Sequence, residues 1–564
     1  MNPISLENQK QGTKEWELQN PAINREIEGY LSSTSIDSGE SIDLFVNTKA
    51  NEFSFSLYRM GWYSSNGARL ILDSILIKGT SQKIPLPEKD TGFIECNWIN
   101  PYTINTLENW VSGVYIGKLE ELKTKKQSYV IFVLRNDKRN SDILFQLPVT
   151  TYQAYNYWGG KCLYTHGSGS AKNWGTISGK KAIKASFNRP YVRSNNPDAA
   201  YGMGAGDFFT NTRPVTTHGY PISSAGWDYN MLRWLERNGY DVSYITNIDT
   251  HNSPKLLIKT PIFMSVGHDE YWSKAMRKNI TSCRDCGVNL TFFSSNTMYW
   301  QIRFEKSKYT NIENSTIICY KETDLDPMKG DNETINFSDL PSQKSQASLI
   351  GIEYYLDPVK GDITITKPNH WIFKGTNLKK GSKLKGLLGY EIDGISKDSP
   401  SNIEILATSK CQRVEKSNNW FVIKYMLQKM HNIICGKIIS KLRLKSSLNN
   451  YIIISLMVSG IVLLNYLDTQ LNLPISYIVG IITFAVLLFW FIKIKISDVF
   501  ISNMTYYKSI NGGEVFATGS MQWSWGLDNF NAPKLRSQYI SKETQIITSN
   551  VLRHFGAKDI LNSK

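Results

Sequence analysis

Six consecutive residues, Gly267-His268-Asp269-Glu270-Tyr271-Trp272, put an imidazole and two carboxylates at one turn. They follow the apolar run Pro261–Val266 and precede Ser273–Lys278, which reads as the opening of a helix. A short apolar run beside a helical segment predicts a buried strand of a parallel sheet. Ligands of open α/β sheets bind beyond the carboxyl ends of the strands, where this turn falls. His268 and Glu270 stand two apart, so an extended turn lets both face one side. An imidazole beside a carboxylate can take up a proton or lie against a metal.

Further polar groups fall at predicted strand ends. Asn296 comes a few residues after the run Val288–Phe293, and Tyr191 follows the run Ala182–Phe187. A tyrosine-rich stretch, Thr151–Gly160, opens the same region where a first strand would end. The positioning elements alternate: a helix over Tyr229–Asn238 closed by Gly239, a strand at Tyr240–Ile245, the strand to Val266, a helix through about Ser282, and the strand Val288–Phe293. This order predicts a doubly wound α/β sheet. Upstream, Ser41–Val46, Phe53–Tyr58, Gly113–Leu119 and Ser128–Leu134 show period-two patterning between turn residues, which predicts an antiparallel β-sandwich.

At 564 residues the chain exceeds one ordinary core. Apolar residues at 41% and aromatics at 12% fit a packed protein rather than a disordered one. Seven scattered cysteines show no disulfide framework, and the amino terminus lacks the pattern of a cleavable signal, so a reducing compartment is expected. Of the net charge of +15, much is concentrated in residues 411–501, where ten Lys and Arg face three acidic residues. A local excess of this kind argues against a nucleic-acid-binding surface. Within it, Tyr451–Leu467 and Ile475–Ile492 carry no charge and are long enough, at ~1.5 Å per residue, to approach or cross a ~30 Å hydrocarbon core. Lysines and arginines crowd the outer ends, and the joint at 468–474 has none. The expectation is a lipid-embedded hairpin at 451–492, preceded by a basic amphipathic segment, with the soluble parts facing the cytoplasm as in an integral cytoplasmic-membrane protein. The expected domains are a tail at 1–20, a β-sandwich at 21–147, an α/β domain at 148–410 completed by 502–564, and the insertion 411–501.

Tyr152–Asn156 with Gly159-Gly160, Ser186–Tyr191, Trp234–Val242, Val266–Trp272 and Thr518–Asp528 resemble the large subunit of N,N-dimethylformamidase. Ile27–Tyr30 and Tyr58–Tyr63 resemble the β-sandwich that precedes the catalytic domain in that family. The resemblance covers most of the chain outside 411–501. It implies a glutamine-amidotransferase-like α/β domain that holds a mononuclear ferric iron through two tyrosines and a glutamate. Carried over, Glu270 is the carboxylate ligand with His268 beside the metal, and Tyr191 is one phenolate. Tyr155 is the other, with Tyr152 and Tyr157 close enough to compete. Asn296 is a polar pocket residue, Glu391 a second acidic residue able to act as general base, and Trp523 and Trp525 wall a small apolar pocket. Phenolates and a carboxylate are hard donors suited to a ferric ion.

Two rival chemistries are weaker. A zinc deaminase would pair His268 and Glu270 with Cys283 and Cys286, but Ser282 stands where that signature needs proline. A cysteine amidotransferase needs its nucleophile at the strand-to-helix elbow, and 267–270 contains no cysteine. The expected function is therefore iron-dependent hydrolysis of a small amide or related C–N bond by a membrane-tethered enzyme, with a small partner subunit or self-association as further possibilities. The opposing reading is a non-catalytic, membrane-anchored scaffold that has lost the metal.

Overall fold

A computed structural model of the chain describes residues 1–165, 168–169, 179–192, 203–210, 226–411, 499–532 and 540–558. The chain divides into two units, Met1–Arg413 with Phe500–Lys564, and Val414–Val499, of which all but Val499 lies outside the described residues.

The first strands form the sandwich. One sheet pairs β1 (Ile27–Leu31), β3 (Ser41–Thr48) and β6 (Tyr102–Asn105); the other has the order β2 (Ser35–Asp37), β8 (Gln127–Arg135), β7 (Gly113–Glu121), β4 (Glu52–Met60), β5 (Ala68–Lys78). Alternation in β3, where every second side chain is buried, puts Ile42, Leu44 and Val46 in the core. A buried ion pair rivets the sandwich to the helix Asp228–Arg237. Arg59 of β4 donates from Nη1 and Nη2 to Glu236 at 3.0 and 2.9 Å, and neither side chain is exposed.

The large sheet has seven strands in the order β11 (Val242–Thr246), β9 (Ile143–Leu147), β12 (Ile262–His268), β14 (Asn289–Ser295), β21 (Glu514–Ala517), β20 (Phe500–Lys508), β19 (Glu404–Cys411). The first five run parallel, β20 runs against them, and β19, antiparallel to β20, runs with the five again. β9, β11 and β12 are buried along their whole length, as expected of parallel strands covered on both faces. Helix Asp228–Arg237 precedes β11 on the crossover from β9, and helix Lys274–Asp285 lies on the crossover from β12 to β14. The second is started by Ser273, whose hydroxyl accepts from the Met276 N–H at 3.1 Å.

The remainder departs from the expected doubly wound, amidotransferase-like architecture. Among the described residues the protein is a set of mixed sheets with few helices. β10 (Lys184–Ser186), β16 (Thr316–Ile318), β15 (Trp300–Glu305) and β13 (Tyr271–Ser273) form a separate four-stranded sheet, and β17 (Glu353–Thr364) pairs with β18 (Lys383–Gly394) in a long antiparallel ribbon. Among the described residues between β14 and β21, strands, turns and short helical pieces stand where a doubly wound fold would have a crossover helix.

The expected membrane placement is also corrected. Among the described residues no helix is long and apolar enough to cross a membrane. The segments 451–467 and 475–492 fall outside those residues, so neither the hairpin nor an integral-membrane location is supported.

Candidate active site

Gly267 makes the site's first turn possible. Its φ of +62° is one that side chains rarely adopt, and a Cβ there would come within 2.6 Å of the Trp227 Cβ. The backbone thus ends β12 at His268 and turns before β13. Asp269 points away from its neighbours into a polar nest: its carboxylate accepts from Gln146 Nε2 at 2.6 Å, Asn247 Nδ2 at 3.0 Å and Ser265 Oγ at 3.0 Å. Burial pushes its pKa up to about 6 against those bonds. Glu270 is pinned through its backbone, donating to Thr151 Oγ1 at 2.9 Å and accepting from the Tyr299 and Trp300 N–H groups at 2.9 and 3.0 Å.

With its backbone fixed, the Glu270 carboxylate gathers the other groups. Tyr155, the last residue of helix Val149–Tyr155, donates its hydroxyl to Glu270 Oε2 at 2.7 Å. Tyr164 donates to Glu270 Oε1, and its ring stacks on Tyr155 with centroids 4.6 Å apart. His268 Nε2 lies 3.1 Å from Glu270 Oε2 and 3.5 Å from Glu391 Oε2. Glu391 comes from β18, so the antiparallel ribbon supplies a carboxylate to the rim of the parallel strands. His268, Glu270 and Glu391 are each no more than 3% exposed, which removes the screening that makes surface charges weak.

Asn296 lies one residue beyond β14, in the left-handed region at φ +53°. Its N–H donates to Asp393 Oδ1 at 2.8 Å, and its side-chain oxygen is buried without a partner among the described residues.

The Tyr191 ring stands edge-on to Tyr152 at 6.4 Å and lines a cavity of about 350 Å³ together with Arg25, Glu28, Tyr157 and Trp158. β10, which leads to Tyr191, belongs to the four-stranded sheet, and Asn156 holds the flanking backbone through Pro190 O and the Val192 N–H. Tyr152 donates to Asp228 Oδ2 at 2.7 Å. Trp523 is a core residue, stacked on Phe293 at 6.1 Å with its Nε1 donating to Thr548. Trp525 stacks on Trp227 at 6.0 Å, and Trp227 in turn stands edge-on to His268 at 6.4 Å. Cys283 packs in the hydrophobic core and Cys286 is exposed.

Three residues missed in the sequence complete the surroundings: Tyr164, Trp227 and Lys321. The Lys321 ammonium sits 3.3 Å from the Tyr164 ring centroid and donates to Tyr271 Oη at 2.6 Å. Burial depresses its pKa to about 8. Their only sequence signal was for Tyr164, which follows the Gly159-Gly160 pair by a few residues; Trp227 and Lys321 carry none.

Among the described residues no group of three or more His, Cys, Asp and Glu is placed to hold a metal. The donors that converge are instead two phenol oxygens and one carboxylate, with an imidazole and a second carboxylate alongside. Oxygen donors of this kind, combined with buried acid–base groups at strand ends, are equipment that a hydrolytic enzyme can use. Residues 54–537 match the family described as N,N-dimethylformamidase beta subunit-like, C-terminal, and the chain belongs to that family of dimethylformamidase-like hydrolases. No curated protein matches the chain. Among solved structures, a family 123 glycoside hydrolase from Clostridium perfringens is 16% identical over 23% of this chain and 32% of that one, with a TM-score of 0.11. The chain therefore spans 32% of that protein's length, and a likeness at that level carries no argument.

Proposed function

We propose that the protein hydrolyses a small amide or related C–N bond at Glu270, with Tyr155, Tyr164 and Glu270 holding one hard cation of the ferric kind. The reading rests on the observation that both oxygens of a buried glutamate accept from phenols while His268 stands between that glutamate and Glu391. Hard anionic oxygens suit a trivalent ion better than the sulfur and nitrogen sets of zinc. Such an ion would supply Lewis acidity to an amide carbonyl and to water.

The remaining work falls to side chains. Glu391 receives the proton of the attacking water, and His268, in reach of both carboxylates, orients it or shares the proton. Asn296 hydrogen-bonds the oxygen that becomes negative as the carbonyl carbon turns tetrahedral. Trp227, backed by Trp525, closes one wall and favours a small neutral substrate over a charged one.

The test is a metal analysis of the purified chain with turnover of formamide and simple N-alkyl amides, alongside Glu391→Gln. Iron near one equivalent, turnover by wild type, and loss of turnover with retention of iron in the variant support the reading. A metal-free wild type that turns over no amide refutes it and leaves a scaffold.

A further inference from the structure

The hydrolytic reaction makes no use of Asp393, a buried carboxylate beside the site. It lies on β18 two residues after Glu391, so strand alternation puts both on one face. Its Oδ1 accepts from Ser295 Oγ at 2.6 Å and from the Asn296 N–H at 2.8 Å. Ser295 is the last residue of β14 and is in register with His268 at the end of β12. One carboxylate oxygen thereby ties the His268 strand end, the Asn296 turn and the Glu391 strand.

The turn it holds has one side-chain bond of its own, between the Ser294 and Thr297 hydroxyls at 2.7 Å, and two left-handed residues to keep in place. Asn296 and Met298 both have positive φ, +53° and +57°, and a side chain in that region costs about 1–2 kcal/mol. The loop is anchored on its far side, where the N–H groups of Met298, Tyr299 and Trp300 donate to the carbonyls of Asp269 and Glu270. Asp393 is the anchor on the near side. Asn296, its side-chain oxygen buried without a partner among the described residues, lies between the two.

We propose that Asp393 is the positioning residue of this site, fixing the Asn296 turn in register with Glu391 through Ser295 Oγ and the Asn296 N–H. The inference rests on the roles proposed for Asn296 and Glu391 in the reaction. A residue that only filled space would be replaceable at constant rate. One that sets register would not, because displacing a hydrogen-bond donor by about 1 Å costs on the order of 100-fold in rate.

The experiment compares the iron-loaded full chain with Asp393→Asn, Asp393→Ala and Ser295→Ala, reading kcat, KM and iron content, together with the Asn296 φ in crystals. Asp393→Ala is expected to lower kcat on the order of 100-fold with KM and iron little changed, and to release Asn296 from the left-handed region. Asp393→Asn keeps the accepting oxygen and is expected to restore most of the rate. Should Asp393→Ala fail to fold, Ser295→Ala, which removes one of the two bonds, carries the test with a drop of about tenfold in kcat. Unchanged kcat in Asp393→Ala or, failing that variant, in Ser295→Ala, or a loss in Asp393→Asn as deep as in Asp393→Ala, overturns the assignment. A wild type that hydrolyses no amide refutes the hydrolase reading alone; the clamp is then judged by φ, and an Asn296 still left-handed in Asp393→Ala, or in Ser295→Ala if that variant stands in, overturns it.

Discussion

Tyr164→Phe separates a tyrosine that holds a cation from one that merely packs. The change removes a single oxygen. The ring stacked on Tyr155 at 4.6 Å and the ring face under the Lys321 ammonium at 3.3 Å both survive in phenylalanine. What disappears is the hydrogen bond to Glu270 Oε1. A hydrogen bond to a charged group contributes about 1.5–3 kcal/mol, so stability falls by that amount at most. If the oxygen is also a ligand, kcat/KM falls by on the order of 100-fold or more, about 2.7 kcal/mol of transition-state stabilisation. Tyr191→Phe is the control, because Tyr191 faces Tyr152 and the cavity lined by Arg25 and Trp158. Its activity is expected to stay within about threefold of wild type, as for a substitution away from the reacting atoms. Iron content, the phenolate-to-ferric absorption band, and turnover of formamide are measured on both, with denaturant unfolding to register the stability cost. Full iron and activity in Tyr164→Phe, with loss of both in Tyr191→Phe, would refute the assignment and transfer the ligand to Tyr191.

Gly267→Ala places a methyl group 2.6 Å from the Trp227 Cβ at a φ of +62°; a destabilisation of about 2 kcal/mol or more is expected in urea unfolding, with His268 displaced and turnover reduced. Glu236→Leu strands the fully buried Arg59 guanidinium and costs about 3–5 kcal/mol, of which the double variant with Arg59→Met recovers most, both read by denaturant midpoints. Burial raises the Asp393 pKa from 3.8 to about 7, with Glu353 adding repulsion. Between those values the folded chain keeps a proton that the unfolded chain has lost, so stability falls as pH rises through that window. Relative to Asp393→Asn, wild type should lose about 1.4 kcal/mol per pH unit from pH 4 to 7 and nothing further above it.

The parallel strands and their helices were legible because their signals are local. The runs before Val266 and Phe293 are continuous and apolar, and Ser273 and Gly239 mark helix ends. The turn at 267–270 was legible for the same reason: it joins an unbroken strand signal to a helix start. The ribbon of β17 and β18 was not, since its alternation is broken by register shifts near Leu356 and Ile363 and half of β17 is only partly buried. Reading the region after Phe293 as a continued doubly wound fold missed it. Around Glu270, Tyr155 could be proposed from the tyrosine-rich stretch, but Tyr164 had only its place after Gly159-Gly160 to set it apart from the other tyrosines. Trp227 and Lys321 are placed by tertiary packing alone. That β10, the strand before Tyr191, joins the four-stranded sheet is likewise decided by its pairing partners and not by its own residues.

β19 ends at Cys411 and β20 begins at Phe500, and these two residues face one another across an antiparallel pair. Neighbouring strands lie about 4.8 Å apart, so the chain departs and returns through the same doorway. Whatever length of polypeptide is spliced there makes small demands on the sheet, because closing a longer loop costs only about 0.6 kcal/mol per doubling. Excising residues 412–499 and bridging Cys411 to Phe500 with a tight turn should therefore leave a shorter chain whose reaction centre is intact, as turnover of the excised chain would show.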